Sequence, residues 1–117
     1  MATLTTHVLN IAAGIPAAGM RIELRALDDK DSRWPRVSHT NTDGRCAAPL
    51  LQGAEFRAGR YALTFHVAAY FRAQGTALPE PPFLDEVVIA FGVADAAQNH
   101  HVPLLVSPWS YSTYRGS

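Results

Sequence analysis

Cysteine is almost missing from this chain. Cys46 stands alone among 117 residues, so no disulfide can close within the chain and the fold needs no oxidising compartment. An excess of one charge is missing too. Ten Lys and Arg residues balance ten Asp and Glu. Without a basic field to draw in a polyanion, nucleic acid is not expected as a partner. No apolar run approaches the roughly eighteen residues that mark a membrane-crossing helix. The opening MATLTTHVLN carries neither a basic stretch nor an apolar one, so it does not read as a secretory leader. Repeats, linkers and low-complexity tracts are absent as well. The expectation is a cytoplasmic, soluble protein with no membrane association.

What the chain does have is enough apolar matter for a core. Hydrophobic residues make up 48% and charged residues 17%, a globular balance that predicts one domain over residues 1–117. MRIELRAL (20–27) alternates: Met20, Ile22, Leu24 and Ala26 share one face, and Arg21, Glu23 and Arg25 the other. Such a period of two means a half-buried strand. RYALTFHV (60–67) places Tyr61, Leu63, Phe65 and Val67 inward, LDEVVIAF (84–91) places Val87, Ile89 and Phe91, and HHVPLLVS (100–107) places Val102, Leu104 and Val106. TLTTHVLN (3–10), RVSHTNT (36–42) and SYSTYR (110–115) are weaker strand candidates. Turn-rich stretches at 12–19, 28–32, 42–45 and 52–59 punctuate the chain. Only VAAYFRAQ (67–74) reads as helix, with Gly75 to stop it, and GTALPEPPF (75–83) reads as a surface connection. The predicted fold class is all-β: a two-sheet antiparallel β-sandwich of seven to eight strands with one short helix.

Alternation also assigns faces to polar residues. His7 lies opposite Val8, and His101 lies opposite Val102, Leu104 and Val106. Tyr114 shares a face with Ser112 and Ser110. All of these point away from the interior if the strands are regular. Exposure to solvent alone accounts for such residues. Two such faces packed across a twofold axis would instead enclose a polar cleft. His39 and His66 read as exposed strand residues, and Trp34 and Phe83 as loop or interface anchors.

Three segments go further than pattern. LTTHVLN (4–10), NTDGRC (41–46) and HHVPLLVSPWSYSTYRGS (100–117) occur in this order, the last ending in YRGS. Together they resemble the 5-hydroxyisourate hydrolases of the transthyretin-like family, over essentially the whole chain. The resemblance implies a transthyretin-like sandwich of two four-stranded sheets with a short helix. It implies a homotetramer whose active sites lie at a subunit interface formed by outer sheet faces. The implied reaction is hydrolytic opening of the lactam ring of 5-hydroxyisourate, giving 2-oxo-4-hydroxy-4-carboxy-5-ureidoimidazoline in urate and purine degradation, with no cofactor and no metal. Two departures from the family pattern bear on pocket shape. Trp109-Ser110 stand where an aromatic-Gly pair is usual, and Asn99-His100 precede His101 where His-Tyr is usual. The hormone-carrying transthyretins lack these histidines and the YRGS ending.

The implied site is His7, Arg45, His101 and Ser117 as catalytic residues, with His7, Arg45 and Tyr114 binding substrate. Each residue type suits lactam hydrolysis. Water is a poor nucleophile and needs a base, and histidine titrates near neutrality. One histidine is expected to act as base and the other as donor or shuttle, with the order open. Arg45 offers a planar fork for the oxygens of a urate-like ring and a fixed charge for a developing oxyanion. Tyr114 offers a hydroxyl and a flat ring. Ser117 offers a hydroxyl and the terminal carboxylate, which Arg115 is expected to neutralise, and Gly116 is expected to permit a close turn. A tail that touches substrate would tolerate no extension.

Three other readings compete. A metal site is suggested by five histidines, but His100 and His101 point to opposite faces of a strand and no HxH or HxxxH spacing occurs. A cysteine nucleophile is suggested by Cys46 beside Arg45, though lone cysteines are mostly small buried hydrophobes. A non-catalytic small-molecule binding protein of transthyretin type is the third.

Overall fold

The computed structural model describes residues 1–117. It contains eleven short strands and one α-helix: β1 (Thr3–Thr5), β2 (Val8–Asn10), β3 (Ile15–Pro16), β4 (Arg21–Ala26), β5 (Arg36–His39), β6 (Leu51–Gln52), β7 (Gly59–Phe65), α1 (Val67–Ala73), β8 (Val87–Val93), β9 (His100–His101), β10 (Leu104–Val106) and β11 (Tyr111–Thr113). One sheet runs β5-β4-β7-β8, antiparallel throughout. The other strands pair as β6-β1-β9 and β3-β2-β10-β11.

These two groups run into one another. The chain passes from β1 to β2 through Thr6 and His7, and from β9 to β10 through Val102 and Pro103. Val102 N–H donates to the Thr5 carbonyl and Leu104 N–H to the His7 carbonyl, each at 2.9 Å, so the ladder continues across both breaks. Joined across those breaks, the eleven segments trace nine strand lines: four in the β5-β4-β7-β8 sheet and five in the other, where β6 and β3 both lie on the side of the β1–β2 line away from β9–β10. This is the two-sheet β-sandwich with one short helix that the strand pattern predicts. One pairing departs from the antiparallel pattern. β1 lies parallel to β9, and β2 parallel to β10. No tight turn can link parallel neighbours, so their register depends on residues nearly a hundred positions apart.

Alternation correctly identifies the inward faces. Met20, Ile22, Leu24, Leu63, Phe65, Val67, Val87, Leu104 and Val106 are buried, together with Leu4, Val8, Leu51 and Phe71. Each fully buried side chain of this size contributes about 1.5–3 kcal/mol relative to exposure. Ile89 and Phe91 are only partly buried. The helix buries Val67, Ala68, Tyr70 and Phe71 on one stripe, and Gly75 follows it with φ +86°. Tyr70 extends its hydroxyl to the buried Asn10, whose Nδ2 donates to it at 3.2 Å, and this fastens the helix to β2.

His66 is not the exposed strand residue that alternation suggests. It sits half-buried between β7 and α1, with Nε2 2.7 Å from Glu23 Oε2 and Nδ1 3.4 Å from Glu86 Oε2. The hydrogen bond from His66 lowers the Glu23 pKa. His39 is exposed on β5, as expected. Trp34 is a loop anchor: its Nε1 donates to Asp29 Oδ2 at 3.1 Å.

Candidate active site

The central parallel pair carries both site histidines. His101 ends β9, in register with Thr5 of β1, and His7 occupies the break between β1 and β2. Its neighbour His100 faces the other way. That ring is buried, packs edge-on against Phe56 at 5.6 Å, and hydrogen-bonds to the Gln98 carbonyl through Nδ1 at 2.8 Å. His100 is thus a core residue and His101 a surface one, as strand alternation requires.

Two further segments are tied to these histidines by backbone pairing. Arg45 forms an isolated antiparallel bridge with His7, and Gly116 forms one with His101. The Arg45 segment is a tight loop built on Asn41. Asn41 Oδ1 accepts from the N–H groups of Asp43 (2.9 Å) and Arg45 (3.2 Å), and Asn41 N–H donates to the Arg45 carbonyl at 2.7 Å. Gly44 closes the loop at φ +76°, and its carbonyl accepts from Val8 N–H at 2.8 Å. A Cβ at Gly44 would collide with the Val8 carbonyl oxygen, so only glycine lets the loop lie this close to β2. Arg45 itself is exposed and forms no ion pair within the chain, which leaves its fork free.

The tail meets His101 from the other side. His101 N–H donates to the Gly116 carbonyl at 3.0 Å, and Gly116 N–H donates to the His101 carbonyl at 2.7 Å. A Cβ on Gly116 would stand 3.2 Å from His101 Cβ and 3.3 Å from Cδ2. Gly116 does not adopt positive φ, so the demand on this glycine is close approach and not the turn expected of it. Ser117 follows directly, exposed, with no hydrogen bond to the rest of the chain.

The rings are held through one nitrogen each. His7 Nε2 lies 2.8 Å from the Asp43 carbonyl oxygen. A carbonyl only accepts, so Nε2 carries the proton and neutral His7 keeps a bare Nδ1. His101 Nδ1 lies 2.8 Å from Thr5 Oγ1. Burial lowers the His101 pKa most, and the charges of Arg45 and His7 lower it further.

The structure thus brings His7, Arg45, His101 and the Gly116–Ser117 tail to one open face. None of the cavities in the chain is lined by His7, Arg45, His101 or Ser117. Tyr114 is not joined to this cluster. It is 60% exposed and borders a cavity of about 280 Å³, where Thr113 and Arg115 face Ile89, Phe91 and Val102. The strand ends at Thr113, so the alternation that grouped Tyr114 with Ser112 stops one residue short. Arg115 does not pair with the terminal carboxylate; its Nη2 donates to Gln98 Oε1 at 3.1 Å. Both departures in sequence leave the cluster intact. Asn99 Oδ1 accepts from Thr3 N–H at 3.0 Å, and Ser110 closes a turn with Ser107.

Cys46 has no role here. Its thiol is half-buried, and burial pushes its pKa up, against the thiolate that a nucleophile requires. Thr5 and the Asp43 carbonyl are the contributors that the sequence reading missed. Thr5 stands two residues before His7 and 96 before His101, and only the parallel register reveals its partner.

Known proteins resemble this chain along its whole length. A 5-hydroxyisourate hydrolase from Mesorhizobium japonicum is 59% identical over 114 residues, covering 97% of this chain and 91% of that protein. The structure of Klebsiella pneumoniae 5-hydroxyisourate hydrolase superposes with a TM-score of 0.80 at 33% identity, and the match covers 100% of both chains. An (S)-allantoin synthase structure superposes with a TM-score of 0.91 at 44% identity, covering 99% of this chain and 44% of that longer one. The model of the HIUase/Transthyretin family matches residues 4–116, and the chain belongs to that family.

Proposed function

We propose that the protein hydrolyses 5-hydroxyisourate, opening its lactam ring to 2-oxo-4-hydroxy-4-carboxy-5-ureidoimidazoline. One observation carries this reading. Two histidines on adjacent strands are each bridged by a different segment, one bringing an unpaired arginine and the other the YRGS tail. A site with two imidazoles, one guanidinium and a hydroxyl fits addition of water to a cyclic amide. It also fits the activity for which the relatives are named.

His101 is assigned as the base. Its burial and the neighbouring charge of Arg45 favour the neutral ring, which is the form that accepts a proton. Water loses a proton to His101 as its oxygen bonds to the lactam carbon. The carbonyl oxygen becomes an oxyanion beside the Arg45 fork. The carbon–nitrogen bond then breaks, and the leaving nitrogen takes the proton back from imidazolium. His7 orients the ring through its free Nδ1, and Ser117 contributes its hydroxyl at the rim. Tyr114 is proposed to bind substrate from a neighbouring subunit or after a small shift of the tail.

The proposed assembly is a homotetramer with sites at subunit interfaces, and the proposed location is the cytoplasm. The open face supports the assembly, since a site without walls needs a second copy to enclose it. So do Phe83 and Trp109, which are 69% and 60% exposed and lie side by side, their ring centroids 6.1 Å apart and their planes tilted by 31°. No helix of the chain is long and apolar enough to cross a membrane.

The test generates 5-hydroxyisourate from urate with urate oxidase and follows its decay by absorbance. Faster decay with the protein, surviving a chelator, is the expected result. Decay at the uncatalysed rate would leave a transthyretin-like binding sandwich.

A further inference from the structure

We infer that Thr5 is the positioning residue of His101: its hydroxyl accepts the Nδ1 proton and so presents the Nε2 lone pair to the reacting water. This rests on the hydrolase reading above.

Three features of the structure support it. First, Thr5 Oγ1 and His101 Nδ1 are 2.8 Å apart, between residues paired in register on neighbouring strands, so the contact is built into the sheet. Strand backbone fixes both Cα atoms, and the β-branched Thr side chain has few rotamers to lose. Second, the opposite edge of the ring is closed. Gly116 lies under Cδ2 and leaves no room for even a methyl group without displacement. The imidazole is therefore held between a hydroxyl on its Nδ1 edge and the tail backbone on its Cδ2 edge, and Nε2 makes no hydrogen bond within the chain. Third, Arg45 and His7 are the charged and titratable groups that act on this ring. Both disfavour imidazolium and so favour the neutral ring, the form with one lone pair to offer.

The chemical choice has a reason. A carboxylate on Nδ1 would orient the ring equally well, but it would also stabilise imidazolium. A hydroxyl orients without adding charge, so the base stays neutral and ready to accept a proton.

The experiment compares wild type with Thr5→Val, which keeps shape and branching and removes the hydroxyl, and with Thr5→Ser, which restores it. Thr5→Ala repeats the comparison if the Val variant fails to fold. Two readouts are taken: kcat and KM, and the nitrogen-15 shifts of the His101 ring. The expected result is a His101 protonated on Nδ1 in wild type, and mixed tautomers in Thr5→Val. Turnover should fall on the order of 10²-fold with KM little changed, as for a misplaced catalytic group. Thr5→Ser should recover most of the rate. Wild-type turnover in Thr5→Val, or a wild-type His101 protonated on Nε2, overturns the inference. The ring shifts need no substrate. An inactive wild type with the expected tautomer would therefore count against the hydrolase reading and leave the role of Thr5 standing.

Discussion

Gly116 and His101 exchange both of their main-chain hydrogen bonds, at 2.7 and 3.0 Å, so the tail is part of the sheet. A terminal segment is usually the loosest part of a fold. Here it is clamped to the strand that carries the proposed base. The cost of that closeness is borne by one position, where a Cβ would sit 3.2 Å from His101 Cβ and 3.3 Å from Cδ2. Gly116→Ala is therefore predicted to turn the ring and lower kcat by about tenfold or more, since small misplacements are expensive in catalysis. The unfolding midpoint should move little, because the core is untouched. Steady-state rates and thermal melts on the same samples check this. An Ala variant with full turnover would show that the tail does not hold the ring.

His7→Asn and His101→Asn are each predicted to lower kcat by about 10²–10⁴-fold, the usual range for losing an acid–base group. Both side chains lie at the surface of the central strand pair, so cooperative unfolding should persist. Circular dichroism melts and the coupled urate oxidase assay test the two halves of this statement. Full turnover in either variant would remove that histidine from the mechanism.

The acid limb of the kcat/KM profile should fall below the ordinary imidazole range. The His101 pKa is lowered, first by burial and then by Arg45 and His7, so the base stays neutral to more acidic pH than a free histidine would. Arg45→Gln removes the second of these causes and should shift the limb toward higher pH, in addition to weakening substrate binding. The same shift links to stability with a definite sign. As pH falls between the unfolded and folded pKa values of His101, the unfolded chain takes up the proton first, and stability declines. Rate profiles of wild type and Arg45→Gln across the acidic range decide the point. Coincident limbs would mean that the titrating group is not beside Arg45.

Cys46→Ala should leave turnover within about twofold of wild type, because burial disfavours the thiolate that any nucleophilic role needs. Alkylation of the native protein should be slow for the same reason. A large loss of kcat with an unchanged melting midpoint would reopen the cysteine mechanism.

What could be read from the sequence follows from the range of the interactions. The inward faces of β4, β7 and β10 and the opposite pointing of His100 and His101 depend on local alternation, which any strand displays. The helix at 67–73 and its glycine stop are equally local. His66 escaped because its environment is set by Glu23 and Glu86, 43 residues before it and 20 after it. Thr5 escaped because its partner lies 96 residues away across a parallel pairing. Arg115 finds Gln98 and not the nearer carboxylate, and no spacing rule predicts that choice. Tyr114 was assigned a face by extending a strand that ends one residue earlier. The motifs named the cluster of His7, Arg45 and His101; the folded chain supplied what holds each ring in place.

The strand bearing the proposed base is only two residues long, and its two residues are the same amino acid. His100 is sealed against Phe56 while His101 is offered to the site. A slip of one residue along β1 would change no composition, yet it would turn the base into the core and the core ring into the solvent. Chemical identity at this strand is thus a matter of phase. Whatever locks the phase, namely the Gln98 carbonyl on one ring and the Thr5 hydroxyl on the other, separates a scaffold residue from a reagent.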